Sequence, residues 1–139
     1  QNRSSDYVFS FDRMLALEGN TAPYLLYAYA RIRSIQRRAG QLPDQPRMLL
    51  EDPHERRLAL HLARLGETLD QVVSGWRLNL LCEYLYGLSG LYMKFYENCP
   101  VLAAPTPQLR TSRLGLCGAT AEVLRVGLGL LGLKVVERM

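Results

Sequence analysis

Tyr24, Tyr27 and Arg31 recur at i, i+3 and i+7, a spacing that puts them on one face of a helix. Ala28 shares that face and Arg38 extends it, while Leu25, Tyr29 and Ile32 lie on another and are the expected core side. A tyrosine ring can stack on a base while its hydroxyl reaches a polar edge, and the planar fork of an arginine suits phosphates and base faces. The same spacing also describes an amphipathic helix with half-buried tyrosines and solvated arginines. On spacing alone that plainer reading is favoured.

Other chemistry is hard to assemble from these residues. There is no Gly-rich phosphate loop and no nucleophile with an obvious base. Cys82, Cys99 and Cys117 are odd in number, widely spaced and lack a Cys-x-x-Cys pair. His54 and His61 do not extend them into a zinc pattern, so buried reduced thiols are expected. The formal charge of +4 and pI near 9.2 favour a polyanionic partner. Fifteen of the seventeen basic residues are arginine, through genomic composition or through a need for planar donors. No apolar run reaches the ~20 residues of a membrane span.

The elements that must position these residues follow in chain order. Residues 1–19 alternate the aromatics Tyr7, Phe9 and Phe11 before Asp12 to Leu15, which fits an extended piece and a helical turn. Asn20 or Thr21 can cap the next helix, with Pro23 where a missing N–H costs least. Its basic run Arg31, Arg33, Arg37 and Arg38 ends at Gly40, and Pro43 and Pro46 then hold a loop. Asp52, Pro53 and Glu55 read as a capped helix start. A stripe through Leu58, Leu62, Leu65, Leu69, Val72 and Val73 follows, split at Gly66 and ended by Gly75. Glu55, Arg56, Arg57, His61 and Arg64 are expected on exposed faces, and Trp76 as a packing anchor between helices.

From Trp76 or Arg77 to Asn98 the pattern is apolar around most of its circumference, so this helix belongs at the centre. Cys99-Pro100 stops it, and Pro105 and Pro107 hold a loop. A last helix, Leu109 to Leu131, carries glycines at 115, 118, 127 and 129, which suggests close approach of a neighbouring backbone. Gly132 is its natural C-cap, with Leu133 to Met139 trailing along the surface. The expected fold is all-α, an irregular antiparallel helical bundle of about five or six helices.

The string EGNTAPYLLYAYARIRSI at 18–35 resembles the segment of class I arginyl-tRNA synthetases where the catalytic domain meets the C-terminal anticodon-binding (DALR-type) domain. Collinear with it are Asp6 to Leu15, Leu85-Tyr86 to Phe95-Tyr96-Glu97, Arg113-Leu-Gly-Leu-Cys117, Gly127 to Leu133, and the closing Val136-Glu-Arg-Met139. The resemblance implies a junction segment at 1–19 and an anticodon-binding helical domain at 20–139. It implies tRNA(Arg) as partner, through its anticodon loop and stem, and the enzyme's own catalytic domain as a second. The parent enzyme would join arginine to tRNA(Arg) using ATP, with magnesium, on a part not included in this chain. The two class I signatures, of His-Ile-Gly-His and Lys-Met-Ser-Lys type, are absent here, so the chain reads as an inactive fragment with no cofactor of its own. A monomer in the cytoplasm is expected, or in an organelle if a targeting peptide has been removed.

By the same resemblance, family members place Tyr24, Tyr96 and Met139 around the anticodon loop. Tyr27, Arg31 and Arg113 join them from the shared helix face or motif, although Tyr96 is nearly as well placed for core packing. The alternative is a non-catalytic helical module that binds a protein partner through apolar surface on the N-terminal segment.

Overall fold

The computed structural model describes residues 10–40 and 46–139. Tyr7, Phe9 and Pro43, assigned above to an extended piece and a loop, lie outside the described residues. Six α-helices follow one another and no strand occurs among the described residues: α1 (Phe11–Met14), α2 (Ala22–Ala39), α3 (Pro53–Ala63), α4 (Leu65–Gly75), α5 (Leu78–Asn98) and α6 (Pro107–Leu130). None is long and apolar enough to cross a membrane.

The starts of α2, α3 and α6 have a local cause in a side-chain cap. Thr21, not Asn20, caps α2: its Oγ1 accepts from Tyr24 N at 3.3 Å and donates to Ala16 O at 2.6 Å, and Pro23 stands in the first turn. Asp52 and Glu55 form a full capping box on α3. The α3–α4 break falls at Arg64, two residues before Gly66, and α4 ends at Gly75 as expected. α6 ends in a Schellman turn: Gly132 takes a φ of +78°, with Gly132 N on Gly129 O at 3.0 Å and Leu133 N on Leu128 O at 2.9 Å.

α5 is the central helix and packs against α2, α3, α4 and α6. It buries Leu81, Tyr84, Leu85, Leu88, Tyr92 and Phe95 into one cluster with Leu25, Ile32, Leu58 and Leu124. In α2 the core side is Leu25, Tyr29 and Ile32 as the spacing requires, joined by Ala28 and Ile35. Ala28 therefore leaves the Tyr24–Tyr27–Arg31 face and packs inward. Cys99 and Cys117 are buried and Cys82 is partly so, all three as free thiols.

Three sequence expectations are corrected. Trp76 is 79 % exposed and adopts a left-handed conformation, φ 51° and ψ 38°, where it ends α4; it anchors no packing. Val73 turns outward while Val72 turns in, because neighbours on a helix point about 100° apart. Glu55 is fully buried rather than on a charged outer face, because three backbone and side-chain donors surround its carboxylate, as described next.

Candidate nucleic-acid interface

α2 and the end of α5 bring four of the six sequence-predicted residues to one side of the molecule. Arg31 is the hub. Its guanidinium carbon lies 4.7 Å from the centre of the Tyr96 ring and 5.9 Å from that of Tyr27, and its Nη1 donates to the Tyr27 hydroxyl at 2.9 Å. Tyr96 is held from below by Tyr92, one turn earlier on α5, with ring centres 6.3 Å apart and an interplanar angle of 26°. Tyr92 is fully buried, so Tyr96 stands on a rigid floor. Desolvation opposes the Arg31 charge, but Tyr27 and Tyr96 outweigh it and its pKa lies above the ordinary value.

Beside this stack a shallow pocket of about 360 Å³ is lined by Tyr27, Ala30, Arg31, Ser34, Arg37, Arg138 and Met139. Three guanidinium groups and one exposed tyrosine face the opening, with apolar contact from Ala30 and Met139. Met139 reaches it because the chain turns back after Gly132 and Glu137 docks on α2. Arg37, Ser34 and Arg138 were not singled out as site residues. Arg37 follows Arg31 at i+6 and could have been found from the arginine run, but Arg138 needed the return of the tail.

Tyr24 lies on the same helix but not in that pocket. It is half-buried and meets Tyr86 of α5 edge to face, ring centres 5.7 Å apart at 60°. Burial, then Tyr86 and Glu97, raises its hydroxyl pKa. The pair widens the aromatic surface toward the start of α2.

Arg113 is not brought to this side. It is 7 % exposed and its Nε donates to Glu55 Oε1 at 2.6 Å, while Nη1 donates to Pro100 O at 2.9 Å. Glu55 Oε2 also accepts from Glu51 N at 2.8 Å and Asp52 N at 2.9 Å. Arg113 thus ties α6, the α3 start and the loop after α5 together, and no guanidinium donor face is presented to a ligand. It is left out of the proposed surface.

A grouping of metal-type ligands exists at the start of α3, where atoms of Asp52, His54 and Cys99 lie within 4.8 Å of one another. The sequence spacing of His54 and Cys99 does not show this proximity. Asp52 Oδ1 already accepts from His54 N at 2.7 Å and faces His54 Nδ1 at 2.8 Å, so its carboxylate serves the helix cap. Desolvation, then Asp52, pushes the Cys99 thiol up to about 11.

The family model described as "DALR anticodon binding domain" matches residues 25–139. The protein named "Arginine--tRNA ligase" of Synechococcus elongatus is 54 % identical over 143 residues, spanning 100 % of this chain and 24 % of that protein. Its namesake in Rippkaea orientalis is 52 % identical over the same shares. Among solved structures, arginyl-tRNA synthetase from Plasmodium falciparum superposes with a TM-score of 0.88 at 36 % identity, covering 100 % of this chain and 25 % of that one. Thermus thermophilus arginyl-tRNA synthetase gives 0.87 at 35 % identity over 94 % of this chain and 23 % of that one. The chain spans about a quarter of the length of the curated relatives it matches.

Proposed function

The chain belongs to the DALR anticodon binding domain family, and from that premise we propose that it binds the anticodon loop and stem of tRNA(Arg) as the C-terminal domain of an arginine–tRNA ligase. The observation that carries the proposal is the Tyr27–Arg31–Tyr96 stack standing at the edge of a pocket that also holds Arg37, Arg138 and Met139. An anticodon loop offers unstacked bases, and single-stranded RNA is read by stacking such bases on aromatic or guanidinium planes. Tyr27 and Tyr96 supply the rings, Arg31 the plane between them, and Met139 an apolar contact. Arg37 and Arg138 take phosphates and set the register of the loop. Tyr24 and Tyr86 extend the surface along α2. Each stacked base contributes about 1–3 kcal/mol.

In this reading ATP, magnesium and arginine are handled by the rest of the ligase, and no residue of this chain is assigned to them. Residues 1–19 are the junction to that catalytic domain in this reading, and within it Leu15 and Leu17 are largely exposed and suit a covering neighbour. The same exposed leucines are what a protein-interaction module would use. A monomer in the cytoplasm remains the expected form.

The test is a titration of the chain with labelled tRNA(Arg) and with an unrelated tRNA, followed by fluorescence anisotropy at two salt concentrations. Tighter binding of tRNA(Arg), weakened by salt and by Arg31→Ala, supports the proposal. Equal weak binding of both tRNAs, or no change with Arg31→Ala, would overturn it and leave the partner-binding reading.

A further inference from the structure

The tail that brings Arg138 and Met139 to the pocket packs Leu133 and Val135 against the core, but beyond Val135 it has few other reasons to stay there. After the Schellman turn at Gly132 it forms no helix, and Arg138 and Met139 remain exposed. One residue gathers the polar contacts that fix its end. Glu137 Oε2 accepts from Arg33 Nε at 2.9 Å, and Oε1 accepts from the same nitrogen at 3.3 Å and from the Tyr29 hydroxyl at 3.3 Å. The Glu137 carbonyl accepts from Arg37 Nη1 at 2.9 Å, and that nitrogen lies 3.7 Å from Oε2. Tyr29, Arg33 and Arg37 sit on successive turns of α2 at i, i+4 and i+8. The tail is therefore laced along a helix row, with Tyr29 rooted in the core.

From this geometry we propose that Glu137 is a positioning residue for RNA binding: it touches no RNA, but it pins the tail so that Arg138 and Met139 complete the pocket opposite Tyr27 and Arg31. The proposal rests on the tRNA-binding reading and deepens it. Pinning the tail before the ligand arrives removes the cost of ordering it on binding.

The sign of the effect separates this from a bystander role. Removing a carboxylate near a basic surface ordinarily strengthens binding to a polyanion. A pin predicts the opposite. The experiment compares anisotropy titrations of an anticodon stem-loop RNA of tRNA(Arg) with the chain, its Glu137→Ala and Glu137→Ser variants, a truncation after Glu137, and the truncation combined with Glu137→Ala. Glu67→Ala, which removes a carboxylate paired with Arg64 at the α3–α4 break, is the charge control, and Arg31→Ala reports on the stack itself.

The expected result is about three- to tenfold weaker binding for Glu137→Ala and for the truncation, with the combination no worse than either, because a pin matters only through what it holds. The Met139 methyl resonance should also sharpen in Glu137→Ala as the tail comes loose, while the rest of the methyl spectrum holds. Binding by Glu137→Ala equal to or tighter than wild type, beside a weakened truncation and a weakened Arg31→Ala, would overturn the pin and leave the tRNA reading standing. If both Arg31→Ala and the truncation bind like wild type, the tRNA reading fails and the pin with it. Should Glu137→Ala lose its fold, Glu137→Ser, which also removes the carboxylate that Arg33 and Tyr29 reach, decides by the same criteria.

Discussion

The Arg31 guanidinium lies over the Tyr96 ring at 4.7 Å, joining a helix near the start of the domain to the end of a helix sixty-five positions later. The contact is a cation–π pair in which one partner stands on the buried Tyr92 and the other is tethered to Tyr27. Both groups are thereby held flat and partly open to solvent, which is the state a stacking surface needs before its ligand arrives.

Tyr96→Ala removes the ring but little of the core, since Tyr92 beneath it stays. On the proposed reading, loss of one stacked base should weaken tRNA(Arg) binding by about 1–3 kcal/mol, or roughly 5- to 150-fold. The melting temperature should fall by no more than a few degrees. Tyr96→Phe, which keeps the face, should bind within about threefold of wild type. Titration and thermal melts on the same samples check both, and an equal loss of stability and binding would assign Tyr96 to packing.

Arg113→Ala should do the reverse. It strips the partner from a buried carboxylate, a change that typically costs about 3–5 kcal/mol of stability. The salt dependence of RNA binding should be unchanged, because Arg113 neutralises no phosphate. Glu55→Gln should lower stability as well and also loosen the start of α3, since Glu55 Oε2 accepts from the Glu51 and Asp52 amides. Chemical denaturation together with the salt slope of binding separates the two roles.

The difference between Arg31 and Arg113 also shows what could be read in advance. Helix faces, caps and the central place of α5 follow from periodicity and cap chemistry, which act within a few residues. That is why the caps at Asp52 and Gly132, and Pro53 in the first turn of α3, are where the pattern put them. Arg113 lies in a motif that looked functional, and only its pairing with Glu55, fifty-eight residues away, shows that it is internal. Glu137 is the converse: a surface carboxylate in sequence, given meaning by Tyr29, Arg33 and Arg37. Trp76 failed for a third reason. Its left-handed φ is set by how α4 must end before α5 begins, and no hydrophobic pattern encodes that.

The cap carboxylate gives an acid-side prediction. The His54 amide, then its side chain, holds the Asp52 pKa below its ordinary value of 3.8. A depressed folded pKa means that the unfolded chain binds the proton more tightly. The stability from this group is therefore present above pH about 4 and is lost as pH falls through the folded pKa. Asp52→Asn keeps a capping oxygen but not the charge, so its melting temperature should converge on that of wild type toward pH 2. Melts from pH 7 to 2 check this, and a gap that does not narrow below about pH 4 would refute it.

At the alkaline end the buried thiols set the sign. Burial pushes Cys117 up to about 12 from an ordinary value of 9.0, so above pH 9 the unfolded chain sheds a proton that the folded chain keeps. Stability should fall between pH 9 and 12, and Cys117→Ala should flatten that decline despite a lower starting stability. Thiol labelling of the native chain should modify the partly exposed Cys82 well before Cys99 or Cys117.

Two glycines on α6, two residues apart, should respond oppositely to alanine. A Cβ at Gly127 would meet Leu85 Cδ2 at 2.6 Å and Cδ1 at 2.9 Å. Leu85 is itself fully buried on the central helix, so its side chain has nowhere to retreat and the overpacking costs about 1–3 kcal/mol. The gain in helix propensity, up to about 1 kcal/mol, does not offset the upper part of that range. At Gly129 a Cβ meets nothing within 4 Å, and only the propensity gain remains. Gly127→Ala should therefore lower the melting temperature and Gly129→Ala should raise it. If both raise it, Leu85 has room to shift, and the close approach of α6 to α5 at Gly127 is not what requires a glycine there.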